Sequence, residues 1–267
     1  MEMPNFENRA ERGEEGLRKQ LKEIAAELKE SGIGVDDECR INMEAYRNEP
    51  KYANSVVKDK AEVADMEKTW KEQEKRASAG IIDAKTHDKK NRSGEQMEMF
   101  KTALFNKAIG GKFFVLRSSR FDDYKHGIDN IIVEKETGAV VGAFDEVVSR
   151  DGELDKGSKI RAINGTKGGY LKYGVGLENG KATKQENARI PLFYLALTYK
   201  ELENAISSFE SDQENLSELE KKLLKKLADS VKEQIEPISK IGMLKNKIPD
   251  IEKFSAALQE AIESKNE

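Results

Sequence analysis

The stretch GIDNIIVEKETGAVVGAFDEVV, from Gly127 to Val148, decides the fold of this protein. Its two ends, GIDNIIV (127–133) and AVVGAFDEVV (139–148), are rich in the β-branched and apolar residues that strands prefer. The segment KETG (135–138) between them is typical of a tight turn, so we predict a β-hairpin. Because both faces of the two strands are largely apolar, we expect them to be central in a sheet and covered by helices.

Charged amphipathic helices are predicted before this hairpin. Apolar residues at helical spacing predict helices over about 14–31, 36–47 and 52–78. The polar segment 83–94 is interpreted as a linker. We then predict a helix that is capped by Ser93 and ends at the glycine pair 110–111.

Further strands and helices are predicted around and after the hairpin. FFVL (113–116) and Tyr170–Leu177 have strand character, and 190–198 is either a strand or the start of a helix. A polar loop is predicted between the hairpin and Tyr170. Towards the C-terminus, an apolar stripe from Leu216 to Ile235 predicts a helix. This helix would form a hairpin with a second helix at about 250–264.

These elements predict an α+β fold with a mixed central sheet, a β-hairpin core covered by helices, and helical extensions at both ends. We divide the chain into a charged helical N-terminal region with a linker (1–92), an α/β core (93–200) and a C-terminal helical hairpin (201–267).

Composition restricts the class of protein. Charged residues make up 36% and hydrophobic residues 37% of the 267 residues, which is too apolar for wholesale disorder. No apolar run approaches the roughly 20 residues that span a bilayer, and the acidic N-terminus lacks the apolar centre of a secretory signal. The single cysteine, Cys39, excludes an intrachain disulfide and a multi-cysteine zinc site. We therefore expect a cytoplasmic protein with no membrane partner.

Charge is unevenly distributed along the chain. The net charge is -4, yet residues 111–200 contain 15 Lys and Arg against 12 Asp and Glu. A mildly basic centre between acidic flanks is compatible with phosphate binding.

The hairpin also contains the candidate site. If its turn has three loop residues, Lys135 faces Ala139 and paired residue numbers sum to 274, so that Asp129 faces Asp145. Carboxylates opposed on one face of two apolar strands repel each other, and a divalent cation such as Mg²⁺ or Mn²⁺ would relieve that repulsion. A register shifted by one residue would instead place the two acids on opposite faces.

This arrangement resembles the PD-(D/E)XK nuclease-like superfamily over about residues 93–200. The pattern of that superfamily has an acidic residue on one strand, a second acid followed two positions later by lysine on the next strand, and often a glutamate from a preceding helix. Here Asp129 and Asp145 lie on successive strands, 16 residues apart, after a helix that carries Glu95 and Glu98. The sequence departs from the pattern at Val147, where the superfamily has its lysine.

The resemblance implies a metal-dependent nuclease that acts on DNA or RNA phosphodiesters. Asp129 and Asp145 would hold Mg²⁺ or Mn²⁺, and Glu95 or Glu98 would complete the ligand set. The catalytic lysine would come from elsewhere, and the candidates are Lys125, Lys156 and Lys159. The residues expected to grip flanking phosphates are Lys112, Arg117 and Arg120.

Several residues near the hairpin have two interpretations. Asp122 or Asp123 either replaces Asp129 as a ligand or caps a turn. His126 is either a base or metal ligand or a polar turn residue. Glu146 alternates to the face away from Asp145, which favours a structural or solvent-facing role.

A second hypothesis is a non-enzymatic interaction protein whose amphipathic helices dock a partner or a second copy. The stripe from Leu216 to Ile235 is the feature that favours it. Burial of this stripe on the centre of the protein would remove that support.

Overall fold

The fold is taken from a computed structural model, which describes residues 6–76, 84–149, 154–178, 181–209 and 215–264. Within these ranges the helices are α1 (Phe6–Glu30), α2 (Ala53–Arg76), α3 (Ala84–Ile109), α4 (Arg120–His126), α5 (Leu154–Thr166), α6 (Tyr199–Ser207), α7 (Glu218–Ser239) and α8 (Ile248–Glu263). The strands are β1 (Phe113–Arg117), β2 (Asn130–Glu134), β3 (Val140–Ser149), β4 (Gly169–Glu178), β5 (Lys181–Ile190) and β6 (Leu192–Thr198).

The central sheet has four strands in the order β1-β2-β3-β6. The pairs β1–β2 and β2–β3 are antiparallel, whereas β3 and β6 are parallel, so the sheet is mixed. Strands β4 and β5 form a separate antiparallel pair. Every residue of β1 and β2 is buried, as expected for strands covered on both faces. The predicted α+β class is therefore confirmed.

The turn of the β2–β3 hairpin differs from the prediction. The Glu134 carbonyl accepts from the N–H of Gly138 at 2.8 Å, and the Glu134 N–H donates to the carbonyl of Ala139 at 3.0 Å. The loop therefore spans the four residues 135–138 rather than three. Gly138 has φ +68°, the left-handed conformation expected of a glycine at this position.

The register is nevertheless the one predicted. Asn130 pairs with Phe144 and Ile132 pairs with Gly142, so the residue numbers of each pair sum to 274. An irregularity between Ile132 and Val133 offsets the extra loop residue. The predicted register is thus confirmed for the pairs from Asn130 to Ile132, although the predicted turn was wrong.

Two helical predictions before the hairpin were also wrong. Residues 36–47 form turns and a short 3₁₀ helix (Met43–Tyr46), because the Asp36 side chain accepts from the backbone N–H of Glu38 and Arg40, each at 2.9 Å. From Ala84 the predicted linker is part of α3, so Ser93 lies inside a helix instead of capping one. That segment has no proline, and most of its polar residues are compatible with a helix. Residue 83 lies outside the described ranges.

Only part of the structure around β4 was predicted from the sequence. The strand predicted at Tyr170–Leu177 is β4, and segment 190–198 contains strand β6. The predicted polar loop contains α5, and β5 was not predicted because its residues (KATKQENARI) lack apolar alternation.

The C-terminal stripe belongs to the core. Helices α7 and α8 form the predicted hairpin, and α7 also packs on β6. Leu223, Leu227 and Val231 are buried there. The interaction hypothesis therefore loses the feature that favoured it.

None of the described helices combines the length and the apolar character that crossing a bilayer requires.

Candidate active site

Three acidic side chains meet where α3, α4 and the start of β2 come together. Helix α4 is held at both ends: Ser119 caps its N-terminus by accepting from the Asp122 N–H at 3.0 Å, and Gly127, with φ +65°, ends it. The chain then turns directly into β2, which places Asp129 beside Asp123 of α4.

Asp129 is fixed by bonds from both neighbouring strands. Its carboxylate accepts from the Glu146 backbone N–H at 2.6 Å, and its own N–H donates to the Phe144 carbonyl at 2.9 Å. Its carbonyl accepts from the Ser118 N–H at 2.9 Å. These bonds hold the carboxylate beside Glu146 at the edge of the hairpin.

One carboxylate oxygen from each of Glu98, Asp123 and Asp129 lies within 4.8 Å of the other two. We call these three residues the acidic cluster. Two ligands of one Mg²⁺ lie at most about 4.2 Å apart, since each metal–oxygen bond is about 2.1 Å long. Small side-chain movements would thus allow the cluster to bind one cation, and its all-oxygen donors suit Mg²⁺ or Mn²⁺.

Two buried arginines contact the acidic cluster. Arg40 donates to Glu98 at 2.6 Å and to Asp123 at 3.2 Å, and Arg117 donates to Glu98 at 3.0 Å. The segment that carries Arg40 lies along β1, because the Ile41 N–H donates to the Arg117 carbonyl at 3.0 Å. The N-terminal region thus supplies a cation that neutralises part of the cluster.

The acids of the cluster differ in pKa. Burial, followed by repulsion from Glu98, raises the pKa of Asp123 to about 7. Burial also acts to raise the pKa of Glu98, but attraction to Arg40 and Arg117 outweighs it, and the net shift is downward. Near neutral pH the cluster therefore holds an ionised Glu98 beside a partly protonated Asp123.

A buried ion pair lies next to the cluster. The side chain of Lys101, which is 0% exposed, pairs with Glu146, whose side chain is 2% exposed. The Lys101 ammonium also lies 4.4 Å from the centre of the Phe144 ring. Lys101 is three residues after Glu98, so α3 directs both side chains to one face.

Asp145 is not one of the three residues of the acidic cluster. It is buried, and successive side chains of a strand point to opposite faces, so Asp145 points away from the α3 side that Glu146 faces. Its carboxylate and the ammonium of Lys159 each lie 3.9 Å from the place that a Cβ of Gly127 would occupy. Lys159 is exposed on α5. The structure thus brings Asp145 and Lys159 to one neighbourhood beside Gly127.

The remaining predicted site residues are held in other ion pairs. Glu95 accepts from Arg120 at 2.7 Å and from Arg117 at 3.3 Å, which leaves it at the rim of the cluster. Lys125 pairs with Glu62 of α2. The side chain of Lys156, the third lysine candidate, lies outside those that the structure describes.

The predicted phosphate-gripping residues do not form one surface. Arg117 is fully buried, so it cannot reach a phosphate on the protein surface without rearrangement. Lys112 pairs with Glu260 of α8 at 2.6 Å and precedes β1, roughly 16 Å from Arg117 at about 3.3 Å per residue. Arg120 is partly exposed and is the one of the three that lies both near the cluster and near solvent.

Asp122 and His126 have structural contacts. The Asp122 carboxylate accepts from the backbone N–H of Lys172 at 2.7 Å and of Tyr173 at 3.1 Å, which ties α4 to β4. His126 Nδ1 lies 2.9 Å from the same carboxylate. These bonds favour the structural interpretation of both residues.

Sequence reasoning missed Arg40 and Lys101 and assigned Glu146 a structural role. The three-residue spacing of Glu98 and Lys101 on one helix was a signal for Lys101. Arg40 has no such signal, because only the tertiary fold brings it to Glu98.

Comparisons with protein-family models, curated proteins and solved structures found no match to this chain.

Proposed function

We propose that this protein is a metal-dependent nuclease-like enzyme that cleaves nucleic-acid phosphodiesters. The observation that carries the proposal is the acidic cluster of Glu98, Asp123 and Asp129, with oxygens within 4.8 Å, beside the buried Lys101–Glu146 pair. Perturbed and mutually coupled ionisable groups that converge in this way are typical of active sites.

The residues also follow the superfamily pattern, with a changed assignment. Glu98 takes the place of the helix glutamate, Asp129 is the acid of the first strand, and Glu146 is the acid of the next strand. Lys101 provides from the helix the ammonium that the strand lacks. The earlier assignment of Asp145 as second metal ligand remains an alternative that experiment separates.

The roles of these residues follow from their charges. A bound divalent cation would lower the pKa of a ligand water and neutralise charge on the scissile phosphate. Glu98 and Asp129 would hold that cation with carboxylate oxygens, and Asp123 would lose its proton to join them. Lys101 pairs with Glu146, whose N–H donates to Asp129, so the pair would help to order the edge of the cluster.

Arg40 and Arg117 compete with a metal ion for the carboxylate of Glu98. Arg40 and Arg117 now neutralise Glu98, so cation binding requires at least part of that contact to be released.

The test is a cleavage assay with plasmid DNA, single-stranded DNA and RNA in Mg²⁺, Mn²⁺ or EDTA. We expect cleavage in the presence of metal, and Asp129→Asn and Glu98→Gln should each reduce it at least about a hundredfold, because the cation supplies several kcal/mol of transition-state stabilisation. Asp229→Asn is a matched control, since Asp229 is an exposed acid of α7 that pairs with Lys225 at 3.0 Å.

The variants also separate the two site assignments. If Asp145→Asn abolishes cleavage whereas Glu98→Gln leaves it unchanged, the site is the pair predicted from sequence. If folded wild-type protein cleaves none of the substrates and binds no Mn²⁺ by calorimetry, the proposed function is refuted.

A further inference from the structure

Trp70 is an exposed aromatic residue on a highly charged helix. Among the described residues the exposed large hydrophobic side chains are Val57, 57% exposed, and Trp70, 39% exposed. Both lie on α2, and Trp70 is the single tryptophan of the chain. A large aromatic side chain that stays partly exposed gives up part of the stabilisation that burial provides, which is typical of a residue that contacts a ligand.

The Trp70 ring contacts the helix that carries part of the acidic cluster. It packs on Tyr124 with ring centres 4.6 Å apart and planes at 74°, an edge-to-face arrangement. Tyr124 follows Asp123 directly, and its hydroxyl donates to Glu67 at 3.2 Å, which fixes the ring. Trp70 and Tyr124 therefore form an aromatic pair in which the Tyr124 ring is anchored.

A cation adjoins the aromatic pair. The guanidinium carbon of Arg120 lies 5.9 Å from the centre of the Tyr124 ring. Arg120 also donates to Glu95 at 2.7 Å, Glu95 accepts from Arg117, and Arg117 donates to Glu98 of the cluster. A continuous series of contacts thus connects the aromatic pair to the acidic cluster.

We propose that Trp70 and Tyr124 form a stacking platform for an unpaired nucleobase of the substrate, with Arg120 next to its phosphate. This inference rests on the proposed nuclease function and names the substrate class, which is single-stranded nucleic acid. An aromatic ring stacks on any base through its π-face, and a partly exposed guanidinium binds the backbone beside it. In a duplex the base faces are already stacked on their neighbours, so the platform discriminates against it.

Intrinsic fluorescence tests the platform directly, because all tryptophan emission comes from Trp70. Wild-type protein in EDTA, where metal-dependent cleavage is suppressed, is titrated with a single-stranded oligothymidylate and with a blunt duplex. We expect saturable quenching by the single strand and little by the duplex.

Affinity is then measured by anisotropy of a labelled single strand. Trp70→Ala should weaken binding about five- to hundredfold, the range for loss of one base–aromatic stack. Trp70→Phe should weaken it less, because it keeps a π-face. The matched control is Val57→Ala, which removes an exposed apolar side chain from the same helix.

Fluorescence quenching and affinity test the stacking platform, whereas the cleavage assay tests the nuclease activity, so the two proposals can fail independently. Quenching by the single strand without cleavage supports the platform and refutes the nuclease activity. Cleavage without quenching, equal quenching by the duplex, or equal affinity of Trp70→Ala and wild type overturns the platform. In those cases Trp70 only packs α2 on α4.

Discussion

The buried Lys101–Glu146 pair allows a sharp test of how the site is built. Lys101→Met removes the ammonium but keeps an unbranched side chain of similar length. Both members are almost fully buried, so the variant leaves the Glu146 carboxylate without its cation in the interior.

The expected loss is large. Removal of one partner of a buried ion pair costs about 3–5 kcal/mol, because an uncompensated charge stays buried. For a protein of this size that corresponds to a fall in melting temperature of about 6–20 °C. Replacing both residues, in Lys101→Met with Glu146→Met, removes the buried charges together and should restore stability to within about 1 kcal/mol of wild type.

The assay is urea unfolding of wild type, the two single variants and the double variant, which form a double-mutant cycle. Nuclease activity is measured on the same four proteins. We expect the double variant to regain stability but not cleavage, because the charged pair beside the acidic cluster is still missing.

A loss below about 1 kcal/mol in Lys101→Met would refute this reasoning. The pair would then be solvated or dispensable rather than buried and mutually compensated. A double variant that cleaves as well as wild type would remove the pair from the active site.

Two further predictions concern charge and backbone. The folded-state pKa of Asp123 is about 7, above its ordinary value of about 3.9, so its contribution to stability is fully present below pH 4 and is lost as pH rises through 7. The measurement is urea unfolding of metal-free wild type and Asp123→Asn at several pH values. We expect the unfolding free energy of wild type to fall relative to that of Asp123→Asn between about pH 4 and 7. If the two unfolding free energies change in parallel with pH, the raised pKa of Asp123 is contradicted. Gly138→Ala should cost more than about 1 kcal/mol, because φ is +68° and a Cβ would collide with the Leu177 backbone. Gly111→Ala meets no atom within 4 Å and should be nearly neutral, so an equal fall in melting temperature for both would contradict the steric argument.

The acidic cluster was only partly visible in the sequence. Glu98 and Asp129 were named as candidate ligands, and Asp123 was named as an alternative to Asp129. The meeting of Glu98 and Asp129 was expected from the resemblance, whereas the addition of Asp123 to both was not predicted, because it depends on how α4 folds back between β1 and β2. The irregular start of the hairpin, where the Asp129 N–H bonds to the Phe144 carbonyl, also has no sequence signal.

Local patterns alone determined much of the protein. β-Branched and apolar residues specified the hairpin, and the register predicted from its turn holds from Asn130 to Ile132 because an irregularity after Ile132 offsets the misjudged turn. Helical spacing specified α1, α2 and α7, because burial of one face repeats every three to four residues. These features depend on neighbours within one element or between adjacent strands.

Only the tertiary structure decided which charges meet. It places Arg40, from a segment that was wrongly predicted to be helical, against Glu98 at 2.6 Å, and it brings a carboxylate oxygen of Asp123 within 4.8 Å of one of Glu98. Such contacts join residues far apart in the chain, and their energy depends on burial, which no local periodicity encodes. The physical reason is that the alternation of side chains along a strand fixes the face on which each one lies. The packing of other elements determines which groups contact it on that face.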